Sequence, residues 1–162
     1  PAYARRTPAR FQAFGPVCAT GELADCSQAS IVAAYDNTIL YTDHVLRRAI
    51  DLLASASRDD QVDTALVYVS DHGESLGENN LYLHGAPYFM SPPEQRQVPF
   101  MGWLSDGFRA RFKLDQRCLQ ARADQNFNHD YLFHSTLGML NISTAVYNPH
   151  LDLFHACRRA EA

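Results

Sequence analysis

The fold is decided by residues 64–73, which read TALVYVSDHG. The first six of these residues are β-branched or apolar, which is typical of a strand covered on both faces within a parallel sheet. The pattern stops at Asp71-His72-Gly73, where two polar side chains and a glycine follow one another. Because ligands collect at the carboxyl ends of strands in open α/β sheets, this position predicts a site.

A long helix is predicted before this strand, and a second strand after it. From Ser27 onward, with Asp25 or Ser27 as the N-cap, apolar residues recur at three- and four-residue steps for about seven turns. The stripe comprises Val32, Tyr35, Ile39, Leu46, Ile50 and Leu53. Residues 98–104 (VPFMGWL) predict a second strand, with Pro99 near its start, where a missing N–H is tolerated. A helix feeding a strand is half of a βαβ unit, so we predict an α/β fold.

The rest of the chain gives weaker patterns. Residues 1–25 are broken by prolines and glycine, and residues 74–97 predict a loop whose length suggests function rather than simple connection. Residues 106–123 form a mixed helical stretch, and residues 129–140 predict a short amphipathic helix capped by Asn128 or Asp130. The tail, residues 144–157, predicts a short edge strand.

Composition excludes several classes of protein. The chain has 162 residues, 46% of them hydrophobic, with 14 basic and 18 acidic side chains and a net charge of −4. A chain of this length is long enough to bury the core of one domain. Its net negative charge argues against a nucleic-acid-binding protein. No apolar run approaches the ~20 residues that a membrane-spanning helix needs. Since the sequence begins at Pro1 without a signal peptide, we expect a piece of a longer protein.

The charge is concentrated between residues 61 and 100. This stretch contains one base, Arg96, against five acids, which are Asp63, Asp71, Glu74, Glu78 and Glu94. One interpretation is a solvated acidic loop. The other is a binding site for a cation, because carboxylates and imidazoles are ligands of divalent metals.

Asp71 and His72 are the first candidate metal ligands, since carboxylate oxygen and imidazole nitrogen both suit Zn²⁺. Adjacent residues of a strand point to opposite faces, so they share an ion only if the strand breaks after Ser70. Gly73 permits such a break because glycine adopts backbone angles closed to other residues. The alternative is that Asp71 caps a turn and His72 is a surface residue.

His84 is the second candidate, because it lies within residues 81–87 (LYLHGAP) next to another glycine. It can return to the same pocket as a metal ligand or a proton donor, or it can simply be exposed. Glu74 and Glu78 are either solvated or support the ligands from an outer shell. The remaining histidines have no comparable setting and are interpreted as structural: His44, His129, His134, His150 and His155.

The four cysteines show no CxxC spacing. A local disulfide between Cys18 and Cys26 would contribute about 2–3 kcal/mol in the chain-entropy model, and Cys118 would then be left to pair with Cys157. Disulfides imply an oxidising compartment such as a periplasm. Four reduced, buried thiols are the alternative.

Three stretches carry a family resemblance: residues 70–87 (SDHGESLGENNLYLHGAP), 35–46 (YDNTILYTDHVL) and 128–140 (NHDYLFHSTLGML). They resemble the C-terminal part of the lipid A phosphoethanolamine transferases, inner-membrane enzymes of the alkaline phosphatase/sulfatase superfamily that include the colistin-resistance transferases. The resemblance implies that residues 1–162 are the C-terminal portion of a periplasmic sulfatase-like catalytic domain. It also implies a partial superfamily sheet flanked by helices, with the upstream catalytic half and the transmembrane domain absent.

The resemblance further implies a function. In this family a Zn²⁺-bound threonine attacks phosphatidylethanolamine, and the phosphoethanolamine group then passes to a lipid A phosphate, which confers polymyxin resistance. Asp71 and His72 match the paired zinc ligands, and His84 matches a histidine near the metal and the phosphoryl group. Cys18 and Cys26 match a family disulfide, which favours a location at the periplasmic face of the inner membrane. Membrane contact is implied only through the absent N-terminal domain.

The resemblance also implies an incomplete site, because the nucleophilic threonine, a glutamate ligand and another histidine precede Pro1. We therefore expect the chain alone to hold half a zinc site and to be inactive. One alternative is a related sulfatase-like enzyme that transfers phosphoglycerol or another phospho group, or hydrolyses it. The other alternative is a non-catalytic truncated module.

Overall fold

The computed structural model of this chain describes residues 3–59 and 61–159, and its architecture confirms the predicted α/β class. Five helices and four strands are joined by short 3₁₀ turns within the described residues. In chain order they are α1 (Gln28–Asp59), β1 (Ala65–Val69), β2 (Ser75–Leu76), β3 (Tyr82–Leu83), α2 (Pro93–Arg96), β4 (Phe100–Leu104), α3 (Asp106–Arg111), α4 (Gln116–Ala121) and α5 (Asp130–Met139).

The long helix α1 begins where the sequence predicted and runs beyond the predicted stripe to Asp59. Ser27 caps it, because its hydroxyl oxygen accepts the N–H of Ser30 at 3.3 Å. The most buried face consists of Ile31, Ala34 and Asn37. Ile39 is exposed, so its assignment to the buried stripe is wrong, whereas the other stripe residues are half-buried.

The two predicted strands are present as β1 and β4, which lie side by side in a two-stranded sheet. β1 is half-buried along its whole length, so the predicted covering of both faces is not found among the described residues. The prediction was based on the apolar composition of the strand. Composition alone does not show how many strands lie beside it or what covers its faces.

The predicted loop at residues 74–97 contains regular structure. β2 and β3 form an antiparallel hairpin in which Ser75 pairs with Leu83 and Leu76 with Tyr82. The turn between them begins at Gly77, whose φ of 116° is a conformation that favours glycine. Strands of two residues are too short to show a period of two, and the sequence pattern therefore missed them.

Backbone contacts divide the chain into two compact units. The first comprises the described residues up to Leu53 together with Leu66–Trp103, and it contains the hairpin and the end of β1. The second comprises Ala54–Ala65 and the described residues from Leu104 onward. The site described below lies entirely within the first unit.

The second unit is organised around a buried carboxylate. Asp152 accepts the hydroxyl proton of Tyr147 at 2.7 Å and the backbone N–H of Phe154 at 2.9 Å, and Arg158 lies 3.8 Å away. Two 3₁₀ turns occupy residues 149–151 and 155–157, and no strand forms at residues 144–157, so the predicted edge strand is wrong.

Both predicted disulfides are confirmed. Cys18 is bonded to Cys26 and Cys118 to Cys157, with Cα–Cα separations of 5.6 and 5.5 Å. Two cross-links fit the expectation of an oxidising compartment. Across residues 3–59 and 61–159, none of the helices combines the length and the apolar character that a bilayer crossing requires.

Candidate active site

The backbone bends at Asp71, directly after β1 ends. The hydroxyl of Ser70 donates to the carbonyl oxygen of His72 at 2.8 Å, and Oδ1 of Asp71 accepts the backbone N–H of His72 at 3.1 Å. These bonds break the alternation of the strand. As a result Asp71 Oδ2 and His72 Nε2 lie 3.8 Å apart, instead of on opposite faces.

Gly73 is required here for a different reason from the one predicted. Its φ does not fall in the left-handed region. Instead, a Cβ atom at this position would overlap the backbone carbonyl oxygen of Glu94, which passes directly against the glycine. Close approach of two backbone segments therefore selects glycine.

Gln95 of α2 holds the segment that carries the site. Its carbonyl oxygen accepts the N–H of Gly73 at 3.0 Å, and its buried side-chain amide donates to the hydroxyl of Ser75 at 2.8 Å. Gly73 and Ser75 flank Glu74, so one residue of α2 fixes the backbone on both sides of that carboxylate.

The hairpin brings Glu74 and His84 together. Ser75 pairs with Leu83, so the preceding residue, Glu74, is placed opposite the following one, His84. Nδ1 of His84 lies 3.1 Å from Oε1 of Glu74 and 3.3 Å from Oε2. The Glu74 side chain is only 10% exposed, whereas that of His84 is 49% exposed. Glu74 is therefore not solvated, and the outer-shell interpretation remains.

The two histidine rings are in contact, with ring centroids 3.8 Å apart. We call Asp71, His72, Glu74 and His84 the acidic–imidazole cluster. Burial and, to a smaller extent, the negative charge of Glu74 raise the pKa of Tyr35 in α1. Asp71 is the most exposed side chain of the cluster at 89%, the two histidines are about half exposed, and Glu74 is the buried member.

The geometry of Asp71 and His72 suits two ligands of one metal ion. His72 Nδ1 lies 2.8 Å from the carbonyl oxygen of Gly73, which can only accept, so Nδ1 is the donor in this bond and Nε2 is the ring nitrogen that faces Asp71. Ligands bound to tetrahedral Zn²⁺ at ~2.1 Å stand roughly 3.4 Å from each other, close to the observed separation. Among the described residues, no three acidic, histidine or cysteine side chains group closely enough to bind a metal.

Other histidines lie outside the cluster, in packing roles. The ring of His44 contacts that of Phe11 with centroids 4.7 Å apart, and Nδ1 of His134 accepts the N–H of Asn148 at 3.1 Å. Glu78 accepts the N–H of Leu76 at 2.7 Å, which supports the hairpin. The sequence left open whether Glu74 is solvated or supports the site, and the hairpin register is what pairs it with His84.

Comparison with known proteins identifies related families and enzymes. The model of the sulfatase family matches residues 1–142. The phosphoethanolamine transferase EptA of Salmonella typhimurium is 45% identical over 160 residues, which are 98% of this chain and 29% of that protein. The phosphatidylethanolamine transferase Mcr-2 of Escherichia coli is 48% identical over 106 residues, 65% of this chain and 19% of that protein. The chain thus spans less than a third of the curated relatives it matches.

Solved structures show the same fold. The soluble domain of lipooligosaccharide phosphoethanolamine transferase A from Neisseria meningitidis superposes with a TM-score of 0.92 at 38% identity, covering 99% of this chain and 48% of that one. The C-terminal periplasmic domain of phosphoethanolamine transferase EptC from Campylobacter jejuni gives a TM-score of 0.84 at 37% identity, covering 100% and 50%. The corresponding domain of EptC from Escherichia coli, solved in complex with Zn, gives 0.74 at 22% identity, covering 98% and 43%.

Proposed function

Because the chain belongs to the sulfatase family and, within it, to the phosphoethanolamine transferases, we propose that it forms part of the site that transfers phosphoethanolamine from phosphatidylethanolamine to a phosphate of lipid A. The observation that carries this proposal is the convergence of Asp71, His72 and His84 at the end of β1. Residues 1–162 are then the C-terminal portion of a periplasmic catalytic domain.

Asp71 and His72 would hold the zinc ion in this scheme. Zinc, when bound, supplies positive charge that favours deprotonation of a hydroxyl nucleophile and offsets charge developing on phosphoryl oxygens. The bond from His72 Nδ1 to the carbonyl of Gly73 fixes the ring with Nε2 facing Asp71. The nucleophile and the other ligands come from a part of the enzyme outside residues 1–162.

His84 would act as the general acid or base of the transfer reaction. With its Nδ1–H directed at Glu74, its Nε2 is the atom available to donate a proton to, or accept one from, the oxygens of the group being transferred. Glu74 is a positioning residue, since its carboxylate selects this tautomer and stabilises the imidazolium form. The contact between the His72 and His84 rings, with centroids 3.8 Å apart, supports a role for His84 beside the proposed ion.

The disulfides support a periplasmic location for this domain, at the outer side of the inner membrane. Phosphatidylethanolamine as donor and lipid A as acceptor would reach the site through the complete enzyme. Loss of negative charge from lipid A would then lower the affinity of polymyxins, which are cationic.

A chimeric enzyme tests the proposal. We would replace the matching region of Salmonella typhimurium EptA, which is 45% identical, with this chain and follow lipid A modification by mass spectrometry. We expect transfer by the chimera, loss of transfer in Asp71→Ala and His72→Ala, and a reduced rate in His84→Ala. A folded His72→Ala chimera that modifies lipid A normally would contradict the ligand role.

Two further assays separate the alternatives. Offering phosphatidylethanolamine and phosphatidylglycerol to the chimera distinguishes the proposed transfer from that of phosphoglycerol. The 162-residue chain alone should release no ethanolamine phosphate, because it supplies only part of the site. Measurable turnover by the isolated chain would refute the half-site interpretation.

A further inference from the structure

Three consecutive apolar side chains are exposed four residues after His84. Tyr88, Phe89 and Met90, which we call the aromatic turn, are 78%, 86% and 63% exposed. Single exposed apolar residues are ordinary on a protein surface, but a run of three at one turn indicates an interaction site. The catalytic scheme above assigns no role to any of them.

Part of the backbone at the aromatic turn is hydrogen-bonded locally. The N–H groups of Met90 and Ser91 both donate to the carbonyl oxygen of Pro87, at 2.8 and 2.9 Å. A bilayer penalises backbone donors that lack a partner, because lipid tails cannot accept hydrogen bonds. Met90 can therefore present its side chain to lipid without exposing an unpaired backbone donor.

A cation accompanies the aromatic rings. The guanidinium of Arg96 lies 5.0 Å from the centre of the Tyr88 ring, and Arg96 is the one basic residue between positions 61 and 100. An arginine beside tyrosine and phenylalanine complements the bilayer interface, where rings sit at the headgroup level and guanidinium pairs with phosphate. The acidic residues at positions 61–100 would repel an anionic surface. Arg96 is therefore the basic side chain of this stretch that can contact a headgroup phosphate.

The size of the turn favours lipid over protein as its partner. Three side chains of this kind can bury roughly 500 Å², since a large aromatic side chain buries about 150–250 Å². A stable protein interface needs about 800 Å² from each partner. Partial insertion into a bilayer can bind with a smaller buried area, because electrostatic attraction to the headgroups contributes to the binding free energy as well.

We propose that the aromatic turn docks on the surface of a phospholipid bilayer, with Tyr88, Phe89 and Met90 entering the interface and Arg96 contacting a headgroup phosphate. This inference extends the proposed function and rests on it, because it assumes that the substrate of the site is a membrane lipid. A lipid substrate must leave the bilayer to reach the cluster, and an anchor four residues from His84 would hold the site against the membrane surface.

Vesicle co-sedimentation of the 162-residue chain tests this docking. The probe is vesicles of phosphatidylethanolamine and phosphatidylglycerol, compared with vesicles of phosphatidylcholine alone. We expect binding to the anionic vesicles, a loss of about tenfold in Phe89→Ser, and a smaller loss in Arg96→Gln. Phe133→Ser is the matched control, since Phe133 of α5 is 54% exposed and lies outside the turn.

Two results would overturn the proposal. One is absent vesicle binding, or equal binding by Phe89→Ser and the Phe133→Ser control. The other is self-association of the chain in sedimentation velocity that Phe89→Ser abolishes, which would assign the turn to a protein contact. The chain carrying His84→Ala should bind vesicles normally, so failure of the transfer chemistry and failure of the docking give different results.

Discussion

Gly73 is the residue whose replacement gives the sharpest steric test. We expect Gly73→Ala to lower the free energy of unfolding by about 1–3 kcal/mol, because the new methyl group meets the backbone carbonyl of Glu94 and neither segment can move freely. Urea denaturation measures the change. The matched control is Gly102→Ala, since a Cβ there meets no atom within 4 Å. Equal stability of the two variants would contradict the close approach.

Replacement of Glu74 distinguishes an effect on proton transfer from an effect on metal binding. In the chimera we expect Glu74→Gln to reduce the rate of transfer by about 10–100-fold, since the amide cannot support the imidazolium form of His84. Zinc affinity should stay near that of the parent, because the residue that Glu74 positions is His84, which is not one of the two proposed ligands. Glu94→Gln, an exposed carboxylate, is the control. Parental transfer rates in Glu74→Gln would refute the positioning role.

Among single residues, the sequence predicted which side chains lie together better than it predicted why Gly73 is beside them. Asp71, His72 and His84 were singled out as site candidates, and the structure places them together. The requirement for Gly73 was assigned to its backbone angles, whereas it arises from the carbonyl of Glu94, twenty-one positions away. Contacts between distant segments leave no local pattern to read.

Among the elements, α1 is fixed to the N-terminal segment by a buried amide. Asn37 accepts the N–H of Phe14 and donates to its carbonyl oxygen, both at 2.9 Å. We expect Asn37→Ala to lower the free energy of unfolding by about 2 kcal/mol, because both backbone groups lose their partner. The control, Asn126→Ala, is exposed and should change stability by less than about 0.5 kcal/mol. A similarly small effect of Asn37→Ala would contradict this anchoring.

The hydrogen bond from Tyr147 to Asp152 in the second unit should make the free energy of unfolding depend on pH in the alkaline range. Burial, and then the hydrogen bond to Asp152, raise the pKa of Tyr147 from 10.0 to about 12. The neutral phenol is thus favoured in the native state, so its contribution to stability is complete below pH 10 and is lost as pH rises towards 12. Solvent screening reduces that contribution to about 1 kcal/mol.

Tyr147→Phe isolates this contribution, because phenylalanine has no proton to lose. The stability difference between the parent and the variant should shrink by about 1 kcal/mol between pH 9 and pH 12 in urea denaturation with the disulfides intact. The exposed Tyr88→Phe serves as the control and should show no such trend. A constant difference between parent and Tyr147→Phe would contradict the assignment.

Element prediction succeeded where the pattern was long. The helical periodicity predicted α1 because it persists over many turns. β1 and β4 were predicted from apolar runs whose length is typical of strands. The hairpin of β2 and β3 was missed because each strand has two residues. The tail was assigned as a strand, although Asn148 caps a 3₁₀ turn there by accepting the N–H of His150 at 3.0 Å.

For the whole molecule, the excess of negative charge in residues 61–100 now has a partial structural explanation. Asp71 and Glu74 belong to the acidic–imidazole cluster, while Glu78 supports the hairpin. The family resemblance was needed to assign zinc and phosphoethanolamine, because two protein ligands and two histidines do not specify an ion or a substrate by themselves.

Calorimetric titration of the 162-residue chain with zinc tests the central claim most directly. If Asp71 and His72 are two ligands of one ion, the parent binds a single zinc ion, and both Asp71→Ala and His72→Ala weaken binding by at least about tenfold. His150→Ala, which removes an exposed imidazole outside the cluster, should leave the affinity unchanged. Equal affinities of the parent, Asp71→Ala and His72→Ala would contradict the account.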